Sequence, residues 1–166
     1  GQQHGMVCLD ERGEVIRPAL LWNDTRSAEA ARELILERGD GDSETGARWW
    51  AQATGLVPVA SFTVTKLRWV ADNEAENARK IAAICLPHDW LSWKIRGGFE
   101  AVGLEGLCTD RSDASGTGYM DRADAVYRRE ILAQALRISL EEAEAIILPK
   151  ICDPVEAMGF GDPRHG

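Results

Sequence analysis

His4 stands between small and polar neighbours, directly before the apolar run 6–9, which would place an imidazole at the mouth of a cleft. There it could bond a hydroxyl-rich ligand, or it could serve structurally by bonding a backbone carbonyl; residue type does not separate the two. Trp22, followed by Asn23, Asp24 and Arg26, sets an aromatic face beside amide and carboxylate groups. Sugar sites use that pairing, the ring against C–H surfaces and the planar polar groups against hydroxyls. The plainer alternative is a buried Trp with Asp24 capping the next helix. The run Ser112-Asp113-Ala114-Ser115-Gly116-Thr117-Gly118 has the small residues of a phosphate-cradling turn, and equally those of a hydrogen-bonded loop.

Other chemistries find less support. No pair has the i, i+3 or i, i+4 spacing of a helical His metal site, so no metal ligand set is read here. There is no G-x-S-x-G, and His4, His88 and His165 are the only imidazoles that could activate a nucleophile. Both G-x-x-x-x-G-K-[ST] and G-x-G-x-x-G are absent, so the glycines that let backbone N–H groups close on phosphate are not at the needed spacing.

Positioning these groups requires elements around them. Residues 6–9 and 14–16 are short strand candidates joined by the polar turn Asp10-Glu11-Arg12-Gly13, which predicts a β-hairpin. Residues 19–22 are an apolar run too short for a helix and predict a buried strand delivering Asn23, Asp24 and Thr25 at its end. Ala31, Leu34 and Ile35 at helical spacing predict a helix over 27–38, with Ser27 as N-cap and Gly39 as C-cap. A turn cluster at 39–43 precedes a shorter helix over 47–54, packed through Trp49, Trp50 and Ala53 and closed by Gly55.

Leu67, Val70, Ala71, Ala75 and Ala78 then trace one face of a helix reaching residue 80 from 64 or 65. Residues 81–86 read as a buried strand stopped by Pro87, with Asp89 capping a helix over 90–96 before Gly97-Gly98. An irregular region is expected over 99–119. Two further helices follow, one over 127–137 carrying Ile131, Leu132, Ala135 and Leu136, the other opened by a capping box at Ser139 and Glu142. The whole predicts an α/β domain with more helix than strand.

With 166 residues, the chain falls in the size range of one domain able to bury a core. A formal charge of −8, from 19 Lys plus Arg against 27 Asp plus Glu, argues against nucleic acid and anionic membrane surfaces as partners. Cys8, Cys85, Cys108 and Cys152 are scattered with no C-x-x-C pair and read as reduced, mostly buried thiols of a cytoplasmic protein. The apolar runs fall far short of the ~20 residues of a membrane-spanning helix. The opening Gly-Gln-Gln-His-Gly has no Met, basic segment or signal sequence, so the chain is expected to start in mid-protein.

The order of these pieces resembles a family. Gly1-Gln2-Gln3-His4-Gly5 and Leu21-Trp22-Asn23-Asp24-Thr25-Arg26 resemble the G-Q-x-H-G and W-N-D-x-R motifs of xylulokinase-type members of the FGGY carbohydrate kinases. Thr54-Gly55 with 62–69 is similar to T-G followed by F-T-x-x-K-L-x-W, Leu86-Pro87-His88-Asp89-Trp90-Leu91 to L-P-K-D-Y-L, and 109–117 to T-D-x-S-D-A-S-G-T. The resemblance implies part of a ribonuclease-H-like, actin-type ATPase lobe, helix-rich and lacking its first strands, with residues 1–166 a partial sugar-binding N-terminal domain and the C-terminal nucleotide-binding domain absent.

It also implies roles. Gln3 and His4 match the loop that meets the bound ketose, and Trp22 and Asp24 match the W-N-D wall; these four are the expected substrate-binding residues. The family's base Asp belongs to a G-G-x-D-[NQ] segment expected beyond this chain, and its D-x-G-T-[ST] phosphate loop is expected before it. No catalytic residue is therefore expected here, and ATP and Mg²⁺ are implied for the full-length enzyme but not bound by this fragment. The implied reaction is ATP-dependent phosphorylation of D-xylulose to D-xylulose 5-phosphate; the alternatives are an FGGY kinase for another ketose or polyol, or a non-catalytic α/β sugar-binding module.

Three departures stand out: Gln3 where many members have Met, His88 where they often have Lys, and 101–108, which looks inserted. A lobe without its first strands is expected to expose a sheet edge and to dimerise or aggregate through it.

Overall fold

A computed structural model describes residues 2–165. Strand β1 (Val7–Leu9) runs antiparallel to β2 (Ala83–Cys85), Val7 facing Cys85 and Leu9 facing Ala83. All six residues are buried, which is why both stretches read as continuous apolar runs rather than alternating ones. After β1 the Asp10 carboxylate accepts the amides of Arg12 and Glu14, each at 2.9 Å, and Gly13 takes φ +75°. That turn returns the chain so that Val15 bridges Leu9, and the expected hairpin forms by single bridges rather than a full second strand.

The strand expected over 19–22 does not form. Leu20 is buried and bridges Met6, but Leu21 and Trp22 are exposed by 40% and 55%. The cause is local: Asp24 N–H bonds the Leu21 carbonyl at 3.0 Å, so the chain turns immediately after its one paired residue. On the other side of the sheet Ile147 bridges Ala83 in parallel. Strand β3 (Cys108–Asp110) lies parallel to β6 (Lys150–Cys152), and β4 (Met120–Asp121) pairs antiparallel with β5 (Val126–Tyr127).

Helices surround these strands, so the α/β, helix-rich class holds. Helix α1 (Ala28–Arg38) has Ser27 at its N-cap position, but the Ser27 hydroxyl bonds the Ala60 carbonyl at 2.8 Å and does not cap. Helix α2 (Ser43–Thr54) starts four residues before the expected 47, because Asp42 caps it by accepting the Thr45 amide at 2.7 Å. The long helix expected to reach residue 80 is two: α3 (Thr63–Asn73) ends at Glu74, whose φ of −133° is not helical, and α4 (Ala75–Ala78) follows.

Helix α5 (Pro87–Ile95) begins at Pro87, not at residue 90. Proline suits the first helical position, where no N–H is needed. Asp89 is therefore inside the first turn, reaching back to accept the Leu86 amide at 2.8 Å. The region 99–119 expected to be irregular holds α6 (Gly98–Val102), β3 and α7 (Arg111–Ser115), pieces too short to show a period. The stretch that looks inserted contributes buried Leu104 and Leu107 to the core. Helices α8 (Arg129–Leu136) and α9 (Leu140–Ala145) follow, and Ser139 and Glu142 form the capping box through bonds of 3.1 and 2.8 Å.

One core packs α1, α2, α3 and α8 against the sheet around Leu34, Trp50, Leu67 and Leu132; a second gathers Leu9, Ala83, Trp93, Leu104 and Leu107 beneath α5. Trp50 is fully buried and donates to the Leu34 carbonyl at 3.1 Å, so this tryptophan is core, as its helical position predicted. Among buried charges Arg68 is the largest. Its guanidinium meets the Glu37 carboxylate at 2.6 and 2.7 Å and the Ala135 and Gln134 carbonyls at 3.2 and 2.9 Å, joining α3 to α1 and α8. Cys8, Cys85 and Cys152 are buried and Cys108 half-buried, all as free thiols.

Candidate functional site

Three segments distant in sequence converge on the start of α3. Residues 3–6 are held there by Thr63, whose hydroxyl donates to the Gly5 carbonyl at 3.1 Å. The turn after α7 is held by the Val64 amide, which donates to the Thr117 carbonyl at 2.9 Å. The segment carrying Trp22 is tied to residues 3–6 by the reciprocal Met6–Leu20 bonds of 2.8 and 3.1 Å.

His4 sits at this junction with φ +65°, a left-handed conformation uncommon for a side chain with a Cβ. Its Nδ1–H donates to the Gly116 carbonyl at 2.8 Å, and its ring stacks on Phe62 with centroids 4.9 Å apart and planes 19° apart. The carbonyl fixes the proton on Nδ1 and leaves Nε2 as the acceptor. A Cβ on Gly116 would lie 2.6 Å from the imidazole, so glycine is what admits the ring. Of the two readings of His4 in the sequence, the structural one is met: the ring bonds a backbone carbonyl.

Gln3, half-buried, hydrogen-bonds Asp113 on α7. Burial, the largest influence on Asp113, pushes its carboxyl upward; the Gln3 hydrogen bond and the nearby His88 are among the effects that oppose it, and the carboxyl lies below the usual carboxylate value. His88 places Nε2 2.8 Å from Asp113 and Nδ1 3.2 Å from Asp89. Asp89 is almost wholly buried, and that burial pushes it up to about 6 against the opposing effects of His88 and the Leu86 amide.

Trp22 and Asp24 lie on the adjoining turn. Asp24 does not cap α1; its carboxylate takes the Arg26 side chain at 2.9 and 3.0 Å, a hydrogen bond that lowers its pKa. The Arg26 guanidinium in turn lies 4.9 Å from the Trp69 ring centroid. Lys66, buried one turn into α3, donates to the Ala60 and Ser61 carbonyls at 3.0 and 2.5 Å, and its burial pushes it down to about 8 while Asp24 opposes that shift. Lys66 therefore links the Asp24 turn electrostatically to the residue pair just before Phe62. Gln3 and His4 are brought together with Asp113 and Gly116; Trp22 and Asp24 reach the same helix by another route.

Phe62 and Asp113 were missed as site residues by reading the sequence. Both sit inside quoted motif segments, Phe62 opening 62–69 and Asp113 within 109–117, and that is the signal that marked them. His88, Asp110 and Asp113 each offer one potential ligand atom, all within 4.8 Å of one another. Asp110 accepts the Asp113 amide at 2.9 Å, and His88 Nε2 lies 2.8 Å from the Asp113 carboxylate.

Three short two-stranded sheets packed among helices bring the amide of Gln3 and the imidazole of His4 to one junction, with the exposed indole of Trp22 on the adjoining turn. The sequence pattern described as the FGGY family of carbohydrate kinases, N-terminal domain, matches residues 1–165. The chain belongs to the FGGY family of carbohydrate kinases. It is 48% identical over 166 residues to the xylulose kinase of Streptomyces coelicolor and 46% identical over 165 residues to that of Streptomyces rubiginosus, spanning 30% of the length of each. The crystal structure of xylulose kinase from Bifidobacterium adolescentis superposes with a TM-score of 0.93 at 50% identity, over 99% of this chain and 37% of that one. Glycerol kinase from Plasmodium falciparum, at 22% identity and a TM-score of 0.75, shares the fold.

Proposed function

We propose that this chain is the sugar-binding part of an ATP-dependent kinase that phosphorylates D-xylulose to D-xylulose 5-phosphate. In this reading Gln3 and His4 meet the ketose from one side, and Trp22 and Asp24 form the facing wall. The observation that carries it is the fixed His4 ring: a carbonyl and a stacked Phe62 set its orientation, and Nε2 remains to accept a sugar hydroxyl. The similarity to proteins named xylulose kinase over the whole chain supports the choice of ketose.

The contribution of these residues is positioning. Holding the terminal hydroxyl in reach of its reaction partner converts entropy lost on binding into rate. The base that takes the hydroxyl proton and the loop that holds the phosphates are assigned to parts of the protein outside this chain. ATP supplies the phosphoryl group, with Mg²⁺ as its expected companion.

Among the described residues no helix is long and apolar enough to cross a membrane. A cytoplasmic site of action is part of the same proposal. Association of the isolated chain through an uncovered sheet edge belongs to the same proposal.

The test is the intact mass of the natural product together with coupled ADP release in the presence of D-xylulose. A product larger than 18.2 kDa with xylulose-dependent ADP release is expected. A full-length product that ignores every ketose would sink the assignment.

A further inference from the structure

We infer that His88, Asp110 and Asp113 form a binding site for one divalent transition-metal ion of the zinc or cobalt class, which clamps the start of α5 to β3 and α7. The inference goes beyond the ketose-kinase reading and does not depend on it.

The ligands come from three elements: His88 from the first turn of α5, Asp110 from the end of β3 and Asp113 from α7. Because they are spread in this way, no helical spacing in the sequence announces them. One atom of each lies within 4.8 Å of the other two. An ion held at about 2.0–2.2 Å by imidazole and carboxylate sets neighbouring ligand atoms about 3 Å apart and opposite ones about 4 Å apart. The three atoms thus already stand near the spacing of one coordination shell.

His88 and Asp113 meet as two ligands do, not as a hydrogen-bonded pair. Nε2 lies 2.8 Å from the Asp113 carboxylate, about one edge of such a shell, yet it is buried and makes no hydrogen bond. A buried ring nitrogen without a partner is costly, and an ion at the point it shares with the carboxylates would satisfy it. Behind the ring, Nδ1 lies 3.2 Å from Oδ1 of Asp89, whose side chain is 1% exposed and whose other oxygen is held by the Leu86 amide at 2.8 Å. That carboxylate favours the proton on Nδ1 and leaves the Nε2 lone pair for a metal, the backing that metal-bound histidines use. Asp110 accepts the Asp113 amide through Oδ1, which fixes its side chain and leaves the other oxygen to coordinate.

One imidazole with two carboxylates is a mixed nitrogen and oxygen set, which suits zinc or cobalt better than magnesium. Three protein ligands leave a position for water. Asp113 is also held by Gln3, so the clamp reaches the loop at 3–5.

The test takes the full-length protein, stripped by a chelator and free of nucleotide, and titrates it with Co²⁺, whose visible absorption reports its ligands. One equivalent should give a visible band without the intense near-ultraviolet band of a thiolate ligand. Zn²⁺ should displace it, and about a tenfold excess of Mg²⁺ should not. His88→Gln and Asp110→Asn should each abolish the band, Asp89→Asn should weaken Co²⁺ binding about tenfold or more, and Glu44→Gln on α2 should change nothing. Asp110→Asn keeps an oxygen for the Asp113 amide, so it decides the matter even if another variant folds poorly. No band at one equivalent, a thiolate band, displacement by Mg²⁺, or a band that survives both His88→Gln and Asp110→Asn would overturn the inference. None of these readings involves ketose turnover, so failure of the kinase reading would be seen separately.

Discussion

The Nδ1 of His4 lies 2.8 Å from the carbonyl oxygen of Gly116, 112 residues along the chain, and the same glycine leaves the space that the ring occupies. At φ −82° Gly116 has an ordinary helical backbone, so its missing side chain serves the imidazole rather than the turn.

Gly116→Ala is therefore expected to leave the backbone unstrained and to push the His4 ring out of place. Affinity for D-xylulose should fall about tenfold, the worth of one well-placed polar contact. Titration calorimetry on the full-length protein, with a urea midpoint as control, reads the two effects apart. Unchanged affinity would remove His4 from the sugar site.

Arg68 is 1% exposed and bonds Glu37 in two-pronged fashion. Arg68→Ala leaves the exposed Glu37 carboxylate to water but strands two carbonyls, and should cost about 2–3 kcal/mol in urea unfolding. The Arg68 hydrogen bond lowers the Glu37 pKa, so this contribution is present above the unfolded carboxylate value and fades as pH falls through the lower folded one. The gap in stability between the wild type and the variant should narrow in acid without closing, since the carbonyl bonds of Arg68 do not depend on Glu37.

Lys66 titrates at about 8 in the fold and at 10.5 by its ordinary value. Between those values the unfolded chain binds more protons, so folding stability gains with rising pH. Comparing the wild type with Lys66→Met isolates this from the thiols and tyrosines: the wild type should gain on the variant from about pH 8 to about 10.5. A constant difference between the two would show that Lys66 is not desolvated.

Burial pushes Cys8 up to about 12 and Cys152 up to about 11, and Cys85 rises as well. Thiolate is the reactive form. With an aromatic disulfide at neutral pH, half-buried Cys108 should react first and Cys8 and Cys85 only on unfolding, as peptide mapping would resolve.

Much of this was legible in the sequence because it depends on neighbours along the chain. The Ser139 and Glu142 box, the Asp10 turn and the helix over 28–38 each need only the residues within a turn of them. The ordered motifs pointed to the family for the same reason, being short strings whose order survives without knowledge of contacts. Boundaries failed where one residue outweighed the pattern: Asp42 extended α2 backwards, Glu74 broke the long helix, and Pro87 opened a helix it was expected only to precede.

Tertiary structure decided the rest. The apolar run 19–22 predicts a buried strand in a local window, yet Trp22 is 55% exposed because the turn to Asp24 carries it off the sheet. The seating of His4 on Phe62 and Gly116, and the meeting of His88 with Asp113, have no local signature. They arise when the start of α3 draws three distant segments to one point. The sequence determined which groups were available and which short elements would carry them; packing alone determined which of those groups would touch.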